Sequence, residues 1–216
     1  MPRFYPILDA EVAGTRTLQI ADALANAGIE LLQFRDKSSS SRQLHATCAD
    51  LVKILRPRAR KKVRLIVNDR ADIAAMCGAD GVHLGQDDLS ISDARTVLDH
   101  GSKRSHPWAG VSSHNLKQLK QAAASDADYI AIGPIFATST KKNPDPVVGL
   151  DFIARARKLT KKPLVAIGGI TLENAKSVWR AGADSVAIIS DVIGARDPAA
   201  RARQYLDLAA AFTHSG

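Results

Sequence analysis

Ile73-Ala74-Ala75-Met76-Cys77-Gly78-Ala79-Asp80-Gly81-Val82-His83-Leu84 is the stretch that decides the fold. Residues 73–77 carry helical spacing, Gly78 stands where a helix stops on a left-handed residue, and 81–84 form a short apolar run. The same Gly-Ala-Asp punctuation returns at Gly182-Ala183-Asp184, again between a helical pattern and an apolar run. Working outward, apolar runs lie at 4–8, 29–34, 63–67, 81–84, 108–111, 129–132, 163–167 and 185–189. Helically spaced segments follow them at 21–27, 44–55, 73–77, 93–98, 116–124, 152–159, 172–181 and 202–212, several announced by Ser, Thr or Asp at an N-cap. Strands alternating with helices imply a parallel sheet covered on both faces. Eight such units in 216 residues favour a closed barrel over an open doubly wound sheet. No Gly-x-Gly-x-x-Gly turn follows the first run, which argues against a dinucleotide-binding fold. The expectation is an α/β protein: a single (β/α)8 TIM-barrel catalytic domain spanning residues 1–216.

Composition bounds the function. The chain is 45% hydrophobic and 5% aromatic, with no apolar run long enough for a bilayer and no signal-peptide pattern, so the expected location is cytoplasmic with no membrane partner. Cys48 and Cys77 lie in helical stretches without metal-site spacing and read as small buried hydrophobes. The net charge of +8 comes without the interleaved aromatics of a base-stacking surface, so nucleic acid is not the expected partner. Its densest run, Arg56 to Arg64, closes a helix and reads as a solvated face, while anionic substrates are a second reason for the basic balance.

Barrel chemistry sits where strands end. After run two comes Gln33-Phe34-Arg35-Asp36-Lys37, in which Gln33, Arg35 and Lys37 share a face. Three polar groups turned into a barrel are costly unless they bind something. Runs three and four lead to Asn68-Asp69-Arg70 and Gly85-Gln86-Asp87-Asp88. Carboxylates at two neighbouring strand ends suit a hard cation such as Mg²⁺ held together with phosphate oxygens. Capping of the following helices by Asp69 and by Asp87 or Asp88 is the alternative. Run five leads to Ser112-Ser113-His114, and run six to Gly133-Pro134-Ile135-Phe136-Ala137-Thr138-Ser139-Thr140-Lys141, hydroxyl-rich and ending in a cation, as phosphate requires. Run seven ends in Gly168-Gly169-Ile170, with Thr171 expected to open a helix, and run eight in Ile189-Ser190. Amides of a Gly-rich turn and a helix N-terminus at these two strands form the usual barrel phosphate site. His83 is either a general base or a core histidine tied by hydrogen bonds. The residues thus give two anion sites and one cation site around one barrel mouth, with no serine–histidine–carboxylate arrangement.

Taken together, Gln33-x-Arg35-x-Lys37, Asn68-Asp69, Gly81-Val82-His83-Leu84-Gly85-Gln86-Asp87-Asp88, Ser112-x-His114, Gly133-Pro134-Ile135-Phe136 with Thr138-x-Thr140-Lys141, and Ile167-Gly168-Gly169-Ile170 resemble the thiamine-phosphate synthase family. The resemblance runs from the second strand to Ser190, in order. It implies a transferase that condenses hydroxymethylpyrimidine diphosphate with hydroxyethylthiazole phosphate, or its carboxylated form, releasing pyrophosphate. It also implies that Arg35, Lys37, Asn68 and Lys141 hold the pyrophosphate, that Asp69 and Asp88 hold Mg²⁺, and that Gln33 and Ser112 contact the pyrimidine. Thr138, Thr140, Gly169, Ile189 and Ser190 would bind the thiazole phosphate, with Arg35, Lys37, Ser112 and Lys141 as the catalytic set. Three departures stand out: Ala137 where proline is common, Ala131 where glycine is common, and Ser125-Asp126 in place of glycine before Ala127-Asp128. None removes a charged ligand.

The family's chemistry asks for stabilisation of a leaving pyrophosphate and alignment of two substrates, not for an enzyme nucleophile. A thiazole tautomerase of the same superfamily is the rival enzyme, expected to lack the basic strand-two motif and the carboxylate pair. A barrel that only binds phosphorylated ligands or nucleic acid is the non-enzymatic rival. Oligomeric state is left open, a homo-oligomer included.

Overall fold

A side-chain period of two organises the sheet. The computed structural model describes residues 1–56, 63–101, 105–138 and 145–213. The strands are β1 (Phe4–Asp9), β2 (Leu31–Arg35), β3 (Arg64–Asn68), β4 (Gly81–Leu84), β5 (Trp108–Ser113), β6 (Tyr129–Ile132), β7 (Leu164–Ile167) and β8 (Ser185–Ile188). Each pairs in parallel with the next, and β8 closes on β1 with Val186 opposite Phe4, so the sheet is a closed barrel. Tyr5, Ile7, Leu31, Ile66, Tyr129, Ala131, Val165 and Ala187 form one apolar cluster inside it. Their neighbours in sequence, such as Phe4, Leu8, Leu32, Phe34, Leu65 and Val67, face outward into a second cluster beneath the helices. Each large apolar side chain so buried stabilises the fold by roughly 1.5–3 kcal/mol. Gly110 is required by this packing: a Cβ there would lie 2.1 Å from the Tyr129 ring.

The helices are α1 (Ala10–Ala13), α2 (Thr17–Ala27), α3 (Ser41–Leu55), α4 (Ala71–Cys77), α5 (Ile91–Gly101), α6 (Leu116–Ala124), α7 (Gly149–Leu159), α8 (Ala175–Arg180), α9 (Ser190–Ile193) and α10 (Pro198–Thr213). Their ends have local causes. Ser40 and Gln43 form a capping box on α3, and Asn115 caps α6. Gly78 ends α4 at φ 72, and Gly182, just past α8, has φ 110, as the repeated Gly-Ala-Asp requires. None of the helices, among the described residues, is long and apolar enough to cross a membrane.

Two expectations need correction, and two short helices are additional to those read from the sequence. Helices α1 and α9 have four residues each, too few for a periodic signal. Thr171 does not open a helix: its N–H donates to Asn174 Oδ1 at 2.9 Å, a turn occupies 172–174, and α8 starts at Ala175. Cys48 is buried as expected, but Cys77 is only half-buried. Of the basic run, Arg56 donates to the Gly78 carbonyl at the end of α4, and residues 57–62 lie outside the described residues.

Candidate active site

The interior alternation continues to the strand ends, so Asp9, Arg35, Asn68 and Ser112 follow Ile7, Gln33, Ile66 and Gly110 on the inner face. Arg35, Asn68 and Ser112 line a cavity of about 710 Å³ at the C-terminal mouth, within the range of small-molecule sites. Gln33, Arg35, Lys37, Asn68, Asp69, Asp88, Ser112, Thr138, Gly169, Ile189 and Ser190 all line it. Thr140 and Lys141 lie outside the described residues.

On one side of the cavity the charges are paired. Arg35 forms an ion pair with Asp9, and Lys37 with Asp69. Asp9 is buried, and its other oxygen accepts the amides of Glu11 at 3.0 Å and Val12 at 3.3 Å, capping α1. The motif reading passed over Asp9, although its place at the end of β1, in step with Tyr5 and Ile7, marks it as inward-facing. Asp69 has φ 63, a left-handed conformation that Asp tolerates better than most residues and that costs about 1–3 kcal/mol. It caps nothing: α4 has Arg70 at its N-cap with no side-chain bond. Asp88 accepts the Gly85 N–H at 2.7 Å, closing a tight turn, while Ser90 and Asp93 cap α5. The capping alternative therefore fails for both aspartates.

Burial, and then the adjoining Asp69 carboxylate, hold the Asp88 carboxyl above its ordinary range. Two carboxylates in contact, with Lys37 alongside, form an acidic pocket whose repulsion a hard cation would relieve. Among the described residues no group of three or more His, Cys, Asp or Glu side chains could hold a metal. Two carboxylates nonetheless fit an ion whose other positions are filled by water and phosphate oxygens.

Below the mouth a chain of hydrogen bonds crosses the barrel. Gln33 Nε2 donates to the Tyr5 hydroxyl at 3.0 Å, which lies 3.1 Å from the Tyr129 hydroxyl. Tyr129 meets His83 Nδ1 at 3.1 Å, and His83 Nε2 meets Ser112 Oγ at 2.9 Å. Burial pushes both phenols above their ordinary values, so they stay neutral. His83 is thus a histidine tied by hydrogen bonds at both ring nitrogens. Tyr5 and Tyr129 went unnoticed in the sequence because a tyrosine inside an apolar run reads as core.

On the opposite side two loops interlock. A Cβ on Gly168 (φ 100) would lie 2.5 Å from Pro134 Cβ, and one on Gly169 (φ 61) 2.3 Å from the Ala137 carbonyl oxygen. Ile135 and Phe136 donate their amides to the Ile167 and Gly168 carbonyls at 2.9 and 3.0 Å. The glycine pair is therefore needed for close approach of the β6 and β7 loops. His114 Nδ1 lies 2.6 Å from the Gly133 carbonyl and tethers the same loop to β5.

Comparison with known proteins agrees with this geometry. A family profile described as thiamine monophosphate synthase matches residues 4–192. The thiamine-phosphate synthase of Koribacter versatilis is 48% identical over 213 residues, covering 96% of both chains. That of Chloroflexus aurantiacus is 42% identical, covering 94% of this chain and 90% of its own. A solved thiamine phosphate pyrophosphorylase from Pyrococcus furiosus superposes with a TM-score of 0.84 at 26% identity, over 97% of this chain and 96% of the other. Fold, cavity and relatives agree that the chain belongs to the thiamine monophosphate synthase family of transferases.

Proposed function

We propose that this cavity joins hydroxymethylpyrimidine diphosphate to hydroxyethylthiazole phosphate, forming thiamine phosphate and pyrophosphate with the help of Mg²⁺. In the reaction the bond from the methylene carbon to the diphosphate oxygen breaks, and its electron pair leaves with pyrophosphate. The pyrimidine ring's electrons support the cation-like methylene carbon until the thiazole nitrogen captures it. Asp69 and Asp88 would hold the Mg²⁺, whose chemistry would be to offset negative charge on the leaving pyrophosphate.

The chain's own residues have the remaining work. Arg35, Lys37 and Asn68, with Lys141 after β6, would grip the pyrophosphate as charge accumulates, which lowers the barrier only to the extent that these contacts strengthen in the transition state. Gln33 and Ser112 would seat the pyrimidine; each is held by the hydrogen-bond chain through Tyr5, Tyr129 and His83. Thr138, Thr140, Gly169, Ile189 and Ser190 would hold the thiazole phosphate across the cavity, aligning its nitrogen with the methylene carbon.

The observation that carries the reading is the contact of the Asp69 and Asp88 carboxylates beside Lys37, in the same cavity as the Gly168–Gly169 turn. A thiazole tautomerase would need neither that pair nor the ion pair of Arg35. Purified protein given both substrates and Mg²⁺ should yield thiamine phosphate and pyrophosphate in equal amounts. Isomerisation of thiazole phosphate alone, without coupling, would refute the proposal.

A further inference from the structure

The carboxyl-terminal helix, outside the motifs that carry the family resemblance, reaches the cavity wall. Arg201 on α10 donates through Nη2 to Asp191 Oδ1 at 2.9 Å and through Nε to Asp191 Oδ2 at 3.1 Å. The same Nη2 lies 3.6 Å from Glu173 Oε1. Asp191 sits in the first turn of α9, directly after Ser190, and lines the cavity. Glu173 belongs to the turn after Gly168–Gly169 and takes a hydrogen bond from Thr171, itself a cavity residue. One guanidinium therefore bridges the loop after β7 and the helix after β8.

The bridge is anchored from behind. Tyr205, one turn further along α10, donates its hydroxyl to Asp191 Oδ2 and stacks on Phe4 of β1 with ring centroids 4.9 Å apart and planes 4° from parallel. Tyr205 is fully buried, while the Arg201 and Asp191 side chains are about one-fifth exposed. Asp191 and Glu173 are two negative charges beside the place where a phosphate is read to bind. Without a paired cation they would repel it.

We propose that Arg201 is a positioning residue for the phosphate end of the cavity. It holds the two loops in register, neutralises the charge of Asp191 and offsets part of that of the more exposed Glu173. The inference rests on the reading above that the thiazole phosphate occupies this end.

Two readouts test it. Inorganic phosphate that hydroxyethylthiazole phosphate can displace is titrated by calorimetry into the wild type, Arg201→Gln and Arg201→Lys; coupling is then measured with each substrate varied in turn. Arg201→Gln should weaken phosphate binding and raise the KM for thiazole phosphate by at least ~10-fold, with kcat and the KM for the pyrimidine diphosphate within about twofold. Arg201→Lys keeps the charge, covers the case in which the glutamine variant fails to fold, and should lose no more than about threefold. Adding Asp191→Asn to Arg201→Gln should recover part of the lost affinity, because the stranded charge is gone. Unchanged phosphate affinity, an equal rise in both KM values, no recovery in the double variant, or a lysine variant as weak as glutamine would each overturn the inference. Absence of coupling by the wild type would refute the proposed function instead, and the phosphate titration would still decide this point alone.

Discussion

Replacing Asp9 by Asn exchanges one carboxylate oxygen for an amide nitrogen and should be felt in both stability and substrate binding. The carboxylate is buried, capping α1 with one oxygen and pairing with Arg35 through the other. Asn keeps the capping oxygen, so the loss of about 1 kcal/mol expected for removing a cap does not apply. What disappears is the charge opposite Arg35. Stranding one member of a fully buried pair costs about 3–5 kcal/mol. The Arg35 side chain is 20% exposed at the cavity mouth and can recover some hydration, which brings the figure nearer a charged hydrogen bond, about 2 kcal/mol. For a chain of this length that is a fall in Tm of roughly 4–8 °C. The assay is a double-mutant cycle of Asp9→Asn and Arg35→Gln, read by denaturant unfolding and by the KM for the pyrimidine diphosphate. A coupling of about 2 kcal/mol is expected, together with a raised KM in the Asp9→Asn single variant as Arg35 loses its orientation. An Asp9→Asn cost below about 0.5 kcal/mol, or the same cost with Arg35 already replaced, would refute the pairing argument.

Other consequences follow from the same geometry. Mg²⁺ should raise the Tm of the wild type by relieving the Asp69–Asp88 repulsion, and Asp88→Asn should abolish that gain while leaving the metal-free protein at least as stable; differential scanning fluorimetry reads both. Gly169→Ala, with φ 61 and a Cβ 2.3 Å from the Ala137 carbonyl, should cost about 2 kcal/mol or more and displace the β6 loop, seen as lost thiazole phosphate affinity in steady-state kinetics. Lys141→Ala should lower kcat/KM by at least ~10²-fold, and Ser190→Ala should appear mainly as weaker thiazole phosphate binding in the same assay.

Much of this could be read from residues alone, for identifiable reasons. The strands at 81–84 and 129–132 begin and end where the apolar runs do, because Gly-Ala-Asp and Ala-Asp punctuate them sharply. The inward-facing Gln33 and Arg35 follow from a period of two, which the buried barrel enforces, whereas Lys37 reaches the cavity from the bend after β2. What escaped notice depends on contacts across the fold. Asp9 gains meaning only when β1 lies beside β2 with Asp9 opposite Arg35. Tyr5 and Tyr129 are 124 residues apart, and nothing local announces that their hydroxyls meet. Whether Asp69 and Asp88 cap the following helices depended on which donor each carboxylate faces, which only the folded loops reveal. Arg201 is one of many arginines until α10 is laid across α9.

The central claim is that two adjoining carboxylates and a divalent cation drive departure of pyrophosphate. It is tested most directly by measuring kcat for coupling in wild type, Asp69→Asn, Asp88→Asn and the double variant, with Mg²⁺ and with excess EDTA, alongside circular dichroism to verify the fold. Wild-type coupling should vanish in EDTA and return with Mg²⁺. Each single variant should lose at least ~10²-fold in kcat while remaining folded. Full coupling in EDTA, or in the folded double variant, would contradict the central claim.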